Sequence, residues 1–330
     1  MMKRFRNQTG LTLVELMVAL AIGSFLVIGA VQIYNQSRQA FIINESIARV
    51  QETAQFAMDT IEADLRMASN WGRMSAGLGV EGRSLPLEGD LDPKGLIVAG
   101  QSDACGADWI LDLSLPIDGA NNAFNLPCAA QGGAQATSDL ITVRRATVAP
   151  QPLTPGRFQI QTTRVQGEVF SDGNVPALFN PATSATHNLI VSSYYVAQPA
   201  AGNLIPGVPT LRRKALVLNA GVTSIVDEEV APGVENLQVQ LGIDVNEDNS
   251  VDRYVNPGDP IYNPSAAVGY VPGARVITAR IWLVVRGTAA EIGIQDPRDY
   301  EPGDVDLGTY NDNFRRLQVS KTVLLRNSRT

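Results

Sequence analysis

The sequence has very little histidine and cysteine to work with: one His and two Cys in 330 residues. A single histidine leaves no basis for a His-rich metal site, and a Ser/His/Asp triad would depend entirely on His187. That residue falls among Asn180, Pro181, Thr183, Ser184, Thr186 and Asn188, a composition that reads as a solvated loop. Walker, HExxH and GxSxG patterns are absent. Gly77, Gly79 and Gly82 do spell GxGxxG, but a helical pattern precedes them where a dinucleotide site needs a strand, so a flexible loop is expected. Excess positive charge is also lacking: 26 Lys plus Arg against 33 Asp plus Glu give a net charge of -7, which offers no general attraction to nucleic acid. The expectation is a protein without enzymatic activity or nucleic-acid partner.

What the chain does have is a long apolar run at its amino end. Lys3, Arg4 and Arg6 stand before it without an acid, and Leu11 to Tyr34 is then apolar but for small or polar interruptions. That length matches the ~20 residues that cross a bilayer. The basic flank places the preceding residues in the cytoplasm and the rest of the chain beyond the membrane. An ordinary secretory signal has a shorter apolar stretch with a small-residue cleavage site after it. Here the glycine at the boundary, Gly10, comes before the stretch, and Glu15 lies within it.

No proline occurs before Pro86, and Ile47, Val50, Ala54, Ala57, Met58, Ile61, Leu65 and Ala68 continue in steps of three and four. This is one face of a helix, expected to run from about Leu11 to about Ala68 and to bury its second half on a sheet. Glu45 with Arg49 and Glu62 with Arg66 add i,i+4 pairs. From Asn70 the pattern changes to short β-prone runs between Gly, Pro, Asn and Asp. Strands are expected at Trp109 to Leu115, Leu140 to Arg145, Phe158 to Thr163, Leu189 to Val196, Leu211 to Leu218, Val234 to Ile243, Arg275 to Val285 and Ser320 to Leu325. No alternation with helices follows, so the fold class is α+β with a mostly antiparallel sheet.

KRFRNQTG followed by LTLVELMVAL resembles the class III signal of type IV prepilins and of type II secretion pseudopilins. RQAFIINESIARVQETAQFAMDTIEADLRMAS, GVENLQVQLGIDVNEDNSVDRYV, RVITARIWLVVRG and RRLQVSKTVLLRN resemble the PilW-like minor pilins, a family related to the J-type pseudopilins. The resemblance implies cleavage after Gly10 by the prepilin peptidase and methylation of Leu11 as the new first residue. It implies a leader at 1–10, a transmembrane segment at 11–34, a periplasmic helix at 35–69 and a pilin domain at 70–330. The implied partners are other minor and major pilins, the inner-membrane assembly platform and, before assembly, inner-membrane lipid. The implied setting is a single-pass inner-membrane protein with a periplasmic domain, later in the fibre or its tip. A J-type pseudopilin and an anchored calcium-dependent adhesin are the other functions compatible with these features.

Three local features carry expectations of their own. A carboxylate in an apolar span costs about 2.5–3.5 kcal/mol on insertion scales, so Glu15 calls for a partner. The amine of Leu11 on a neighbouring subunit is one, and a tolerated membrane glutamate is the bland alternative. Cys105 and Cys128 form a disulfide candidate if the domain is exported, or else remain two free thiols. Asp244, Asn246, Asp248, Ser250 and Asp252 place oxygen-bearing side chains at every second position, in the order of an EF-hand calcium loop. Asn249 replaces the turn glycine and Val255 the closing acid, with Asp296, Asp299, Asp304 or Asp306 as further oxygen donors. The competing reading is a solvated polar turn.

Overall fold

A computed structural model describes residues 12–81, 108–291 and 293–328. The chain divides into two units, residues 1–49 and residues 50–330.

A single helix, α1, runs Leu13–Arg66. Its first half is the one helix among the described residues long and apolar enough to cross a membrane, and none of that apolar window is buried. The expected ion pairs Glu45–Arg49 and Glu62–Arg66 form, each at 2.8 Å. After Arg66 the Met67 and Ala68 N–H groups bond three residues back, to Asp64 and Leu65, which tightens the last turn. Ser69 then takes φ 62 and the helix stops.

In the second unit the first eight strands make one sheet. They are β1 (Val80–Glu81), β2 (Ile117–Ala120), β3 (Leu140–Ala146), β4 (Gln159–Thr162), β5 (Gly167–Phe170), β6 (Ala185–Ala197), β7 (Thr210–Asn219) and β8 (Val222–Pro232). The strand order is β1-β5-β4-β6-β3-β2, with β7 on β6 and β8 on β7. β6 is the spine: its start pairs with β4 and the remainder with β3 and β7. A second sheet has the order β10-β9-β11-β14, from β9 (Val234–Asp244), β10 (Arg253–Val255), β11 (Arg275–Arg286) and β14 (Arg316–Leu324). A two-stranded ladder joins β12 (Asp299–Tyr300) and β13 (Gly308–Thr309). Every pairing is antiparallel except β1 with β5.

The main core forms where the α1 stripe Val50, Ala54, Ala57, Met58, Ile61 and Leu65 meets Leu237, Val239 and Leu241 of β9 and Ala279, Ile281 and Leu283 of β11. The i, i+3, i+4 stripe and the period-two alternation of the strands put these residues on facing surfaces. Burying each large aliphatic side chain here contributes roughly 1.5–3 kcal/mol. One polar group is set into the helix stripe. Asp64, 6% exposed, accepts from Arg145 of β3 at 2.8 Å and from the Tyr194 hydroxyl of β6 at 2.7 Å, tying α1 to the first sheet.

The structure departs from the sequence expectations in three places. Trp109 to Leu115 is not a strand: Asp108–Leu111 forms one helical turn, α2. The buried Arg144 ties this turn to the segment after it, donating to the Trp109 carbonyl at 2.7 Å and the Leu115 carbonyl at 2.6 Å. β8 is not among the strands expected from the sequence, and it carries the acidic run Asp227-Glu228-Glu229. These acids lie opposite Lys214, Arg213 and Arg212 of β7, and ion pairs of 2.6–3.4 Å stabilise the ladder. Ala220 and Gly221 close the hairpin with φ 49 and 80, the left-handed pair that suits strand twist. Finally, His187 is no loop residue. It lies in β6, 2% exposed, with Nδ1 2.7 Å from the Thr147 carbonyl and Gly72 against its ring. Gly77–Gly79 forms a single 3-10 turn before β1, and Gly82 lies outside the described residues.

Candidate functional site

Gly10 and Leu11, the expected processing residues, lie outside the described residues, which begin at Thr12. Glu15 is described. Its carboxylate accepts from the Thr12 N–H at 3.0 Å and the Thr12 hydroxyl at 2.9 Å, while the Thr12 hydroxyl accepts from the Glu15 N–H at 3.3 Å. This is a reciprocal capping box at the first turn of α1. Three polar groups that would otherwise face an apolar medium satisfy one another, and the negative charge sits at the positive end of the helix dipole. The sequence signal was Thr-x-x-Glu directly before an apolar run, and reading Glu15 alone had missed Thr12. Elsewhere in the span, nothing described lies within 4 Å of where a Cβ at Gly23 or Gly29 would stand.

The five oxygen-bearing residues of the calcium expectation join β9 to β10. Asp244 is wholly buried, and its carboxylate accepts from the Asn246 and Asn249 N–H groups and from Arg275 at 3.1 Å. Burial opposes its ionisation, yet these donors hold its carboxyl below the usual carboxylate range. Arg275 also donates to the Asn249 side chain at 3.2 Å, so a guanidinium balances the charge at the base of the loop. Asp248 and Asp252 accept from the Ser250 and Val245 N–H groups. Glu247 and Asn249 take φ 63 and 66, the left-handed geometry the missing glycine would have supplied. Of the acids expected to add oxygens, Asp296 is engaged by Arg298 and the Tyr300 hydroxyl, and Asp304 by Asn121 and Asn256. Asp299 and Asp306 gather with Glu301, their carboxylate oxygens within 4.8 Å of one another.

Cys128 is 5% exposed, and no free cysteine occurs among the described residues. Cys105 lies outside them.

Two family models match the chain. The prokaryotic N-terminal methylation motif covers residues 5–31, and the type IV pilus-assembly protein W family covers residues 193–327. The first takes in Gly10, Thr12 and Glu15; the second runs from β6 through β14. No curated protein matches. Among solved structures, a type IV-like pilin from Thermus thermophilus is similar at 13% identity, over 61% of this chain and 82% of that one, with a TM-score of 0.28. A methylation-type signal leads into a long apolar helix, and a mostly antiparallel domain carrying the assembly-protein W match follows. The methylation motif and the assembly-protein W match together support a PilW-like minor pilin of type IV pilus assembly.

Proposed function

We propose that the prepilin peptidase cuts this chain between Gly10 and Leu11, and that the mature subunit passes from the inner membrane into the fibre as an initiating or tip component. Its β-rich domain is then outside the membrane, and it acts as a structural subunit rather than as an enzyme. The observation that carries this reading is the first half of α1: a membrane-length apolar surface with no burial of its own and one carboxylate, Glu15, in its first turn. Such a surface is stable in lipid or against other apolar helices, so assembly exchanges one apolar environment for another. The other pilins supply the helices, and the assembly platform in the inner membrane is where the exchange takes place. In the fibre, Glu15 meets the Leu11 amine of a neighbouring subunit and exchanges part of its Thr12 capping for an ion pair.

The test is mass spectrometry of the subunit from sheared pili. The expected mass is that of a chain starting at N-methylated Leu11, and a chain retaining residues 1–10 in assembled pili would overturn the proposal. Glu15→Val is expected to leave membrane insertion intact and to reduce incorporation by about tenfold, the equivalent of one lost ion pair of ~1.4 kcal/mol. A deletion strain that keeps its surface pili and twitching but loses exoprotein secretion would transfer the subunit to a type II secretion system.

A further inference from the structure

Beyond the carboxyl end of α1 lies an open cleft of about 420 Å³. Four segments line it: Ser69 and Asn70 after the helix, the turn from Gly72 to Ala76, the β4–β5 turn at Arg164, and the carboxyl-terminal turn at Arg326. Hydrogen bonds fix these walls independently of any charge. Asn327 donates to the Ala68 carbonyl at 3.1 Å, the Ser69 and Ser328 hydroxyls meet at 3.0 Å, and the Thr163 N–H closes the β4–β5 turn on Gln166 at 2.9 Å.

Three arginines from separate parts of the chain, Arg73, Arg164 and Arg326, line this cleft, and no acidic residue lines it among the described residues. Arg73 donates to the Thr183 carbonyl at 2.7 Å, which anchors one guanidinium. Arg164 and Arg326 have no partner among the described residues. Several other arginines of the domain are paired with acids: Arg145 with Asp64, Arg212 with Asp227, Arg298 with Asp296 and Arg316 with Glu235. In a chain of net charge -7, three guanidinia lining one hollow with no acidic partner among the described residues concentrate positive charge that an anion would balance.

We propose that this cleft binds a phosphomonoester. Three planar guanidinium forks exceed what the two oxygens of one carboxylate can engage. A phosphoryl group offers three acceptor oxygens and a charge of about −1.5 to −2. The volume falls within the ~300–1,000 Å³ of small-molecule sites, so it admits a phosphorylated sugar as well as free phosphate. The ester then fills the space beside the phosphoryl group against Ser69, Asn70, Ser75 and Asn327.

The experiment is calorimetry on the full-length chain in a non-ionic detergent, with glucose 6-phosphate, inorganic phosphate and acetate as probes. The expected result is saturable binding of glucose 6-phosphate, weaker binding of phosphate, none of acetate, and affinity that falls with added salt. Arg164→Gln with Arg326→Gln should weaken the sugar phosphate by about tenfold or more. Both side chains are exposed, so the melting temperature should stay unchanged and report that the fold is intact. Arg253→Gln, on exposed β10, is the control and should bind as the wild type does. Inorganic phosphate binding as tightly as the ester would show that the source is free phosphate and overturn the ester. No saturable heat at about 20 mM probe, acetate binding equal to phosphate, or an unaffected double variant would each overturn the site itself.

Discussion

Asp139 shows how one buried carboxyl couples stability to pH. It is 1% exposed and accepts from the Asn122 and Val239 N–H groups at 2.8 Å, linking the segment before β3 to β9. Burial pushes its pKa up to about 7 from 3.8 against those two bonds, and the Asp304 carboxylate adds to the rise. Between these two values the folded chain binds more protons than the unfolded one, so this group makes stability fall as pH rises from about 4 to about 7. Denaturant midpoints at pH 5 and pH 7 should therefore favour pH 5 in the wild type. The part due to Asp139 is about 2–4 kcal/mol over the whole window. Asp139→Asn should be flatter over that window, although less stable throughout because its amide nitrogen faces an N–H. Equal pH dependence in both proteins would show that Asp139 titrates normally.

Among the elements, the β9–β10 connection makes the most direct test of ion binding. An incoming calcium ion must share Asp244 with Arg275, which already balances that buried charge. In Arg275→Gln the carboxylate loses its cation, so the variant should melt lower than the wild type without calcium, by about 3 kcal/mol of stability. Millimolar calcium should then raise the melting temperature of Arg275→Gln more than that of the wild type, by ligand linkage. Equal responses in the two proteins would separate Arg275 from any ion binding in this loop, and no response in either would leave Asp244 to Asp252 as a polar turn. The β7–β8 hairpin shows the same preference for internal pairing, since its acidic run is matched residue by residue by the basic run opposite.

For the whole molecule, a covalent tie between Cys105 and Cys128 is the remaining expectation about stability. Peptide mapping without reductant on protein from the periplasm should recover the two cysteines as one linked pair. Reduction should lower stability by roughly 3 kcal/mol if the loop-entropy account holds, and recovery of both as free thiols would remove the bridge. By itself, the sequence determined the methylation-type signal, the apolar span, the helical stripe from Val50 to Leu65 and the long strands of the second sheet. Those features rest on local periodicity and on the length of an apolar run, which act along the chain. It left β8, α2 and the burial of His187 unread. An acidic run becomes a strand only opposite Arg212, Arg213 and Lys214; Asp108–Leu111 turns where Arg144 takes up the Trp109 carbonyl; and His187 is buried because Gly72 leaves room for its ring. The tertiary structure also decided the charge balance, bringing Arg275 to Asp244 and gathering Arg73, Arg164 and Arg326 from distant parts of the chain. Partners so far apart leave no periodic trace, because only chain folding makes them neighbours.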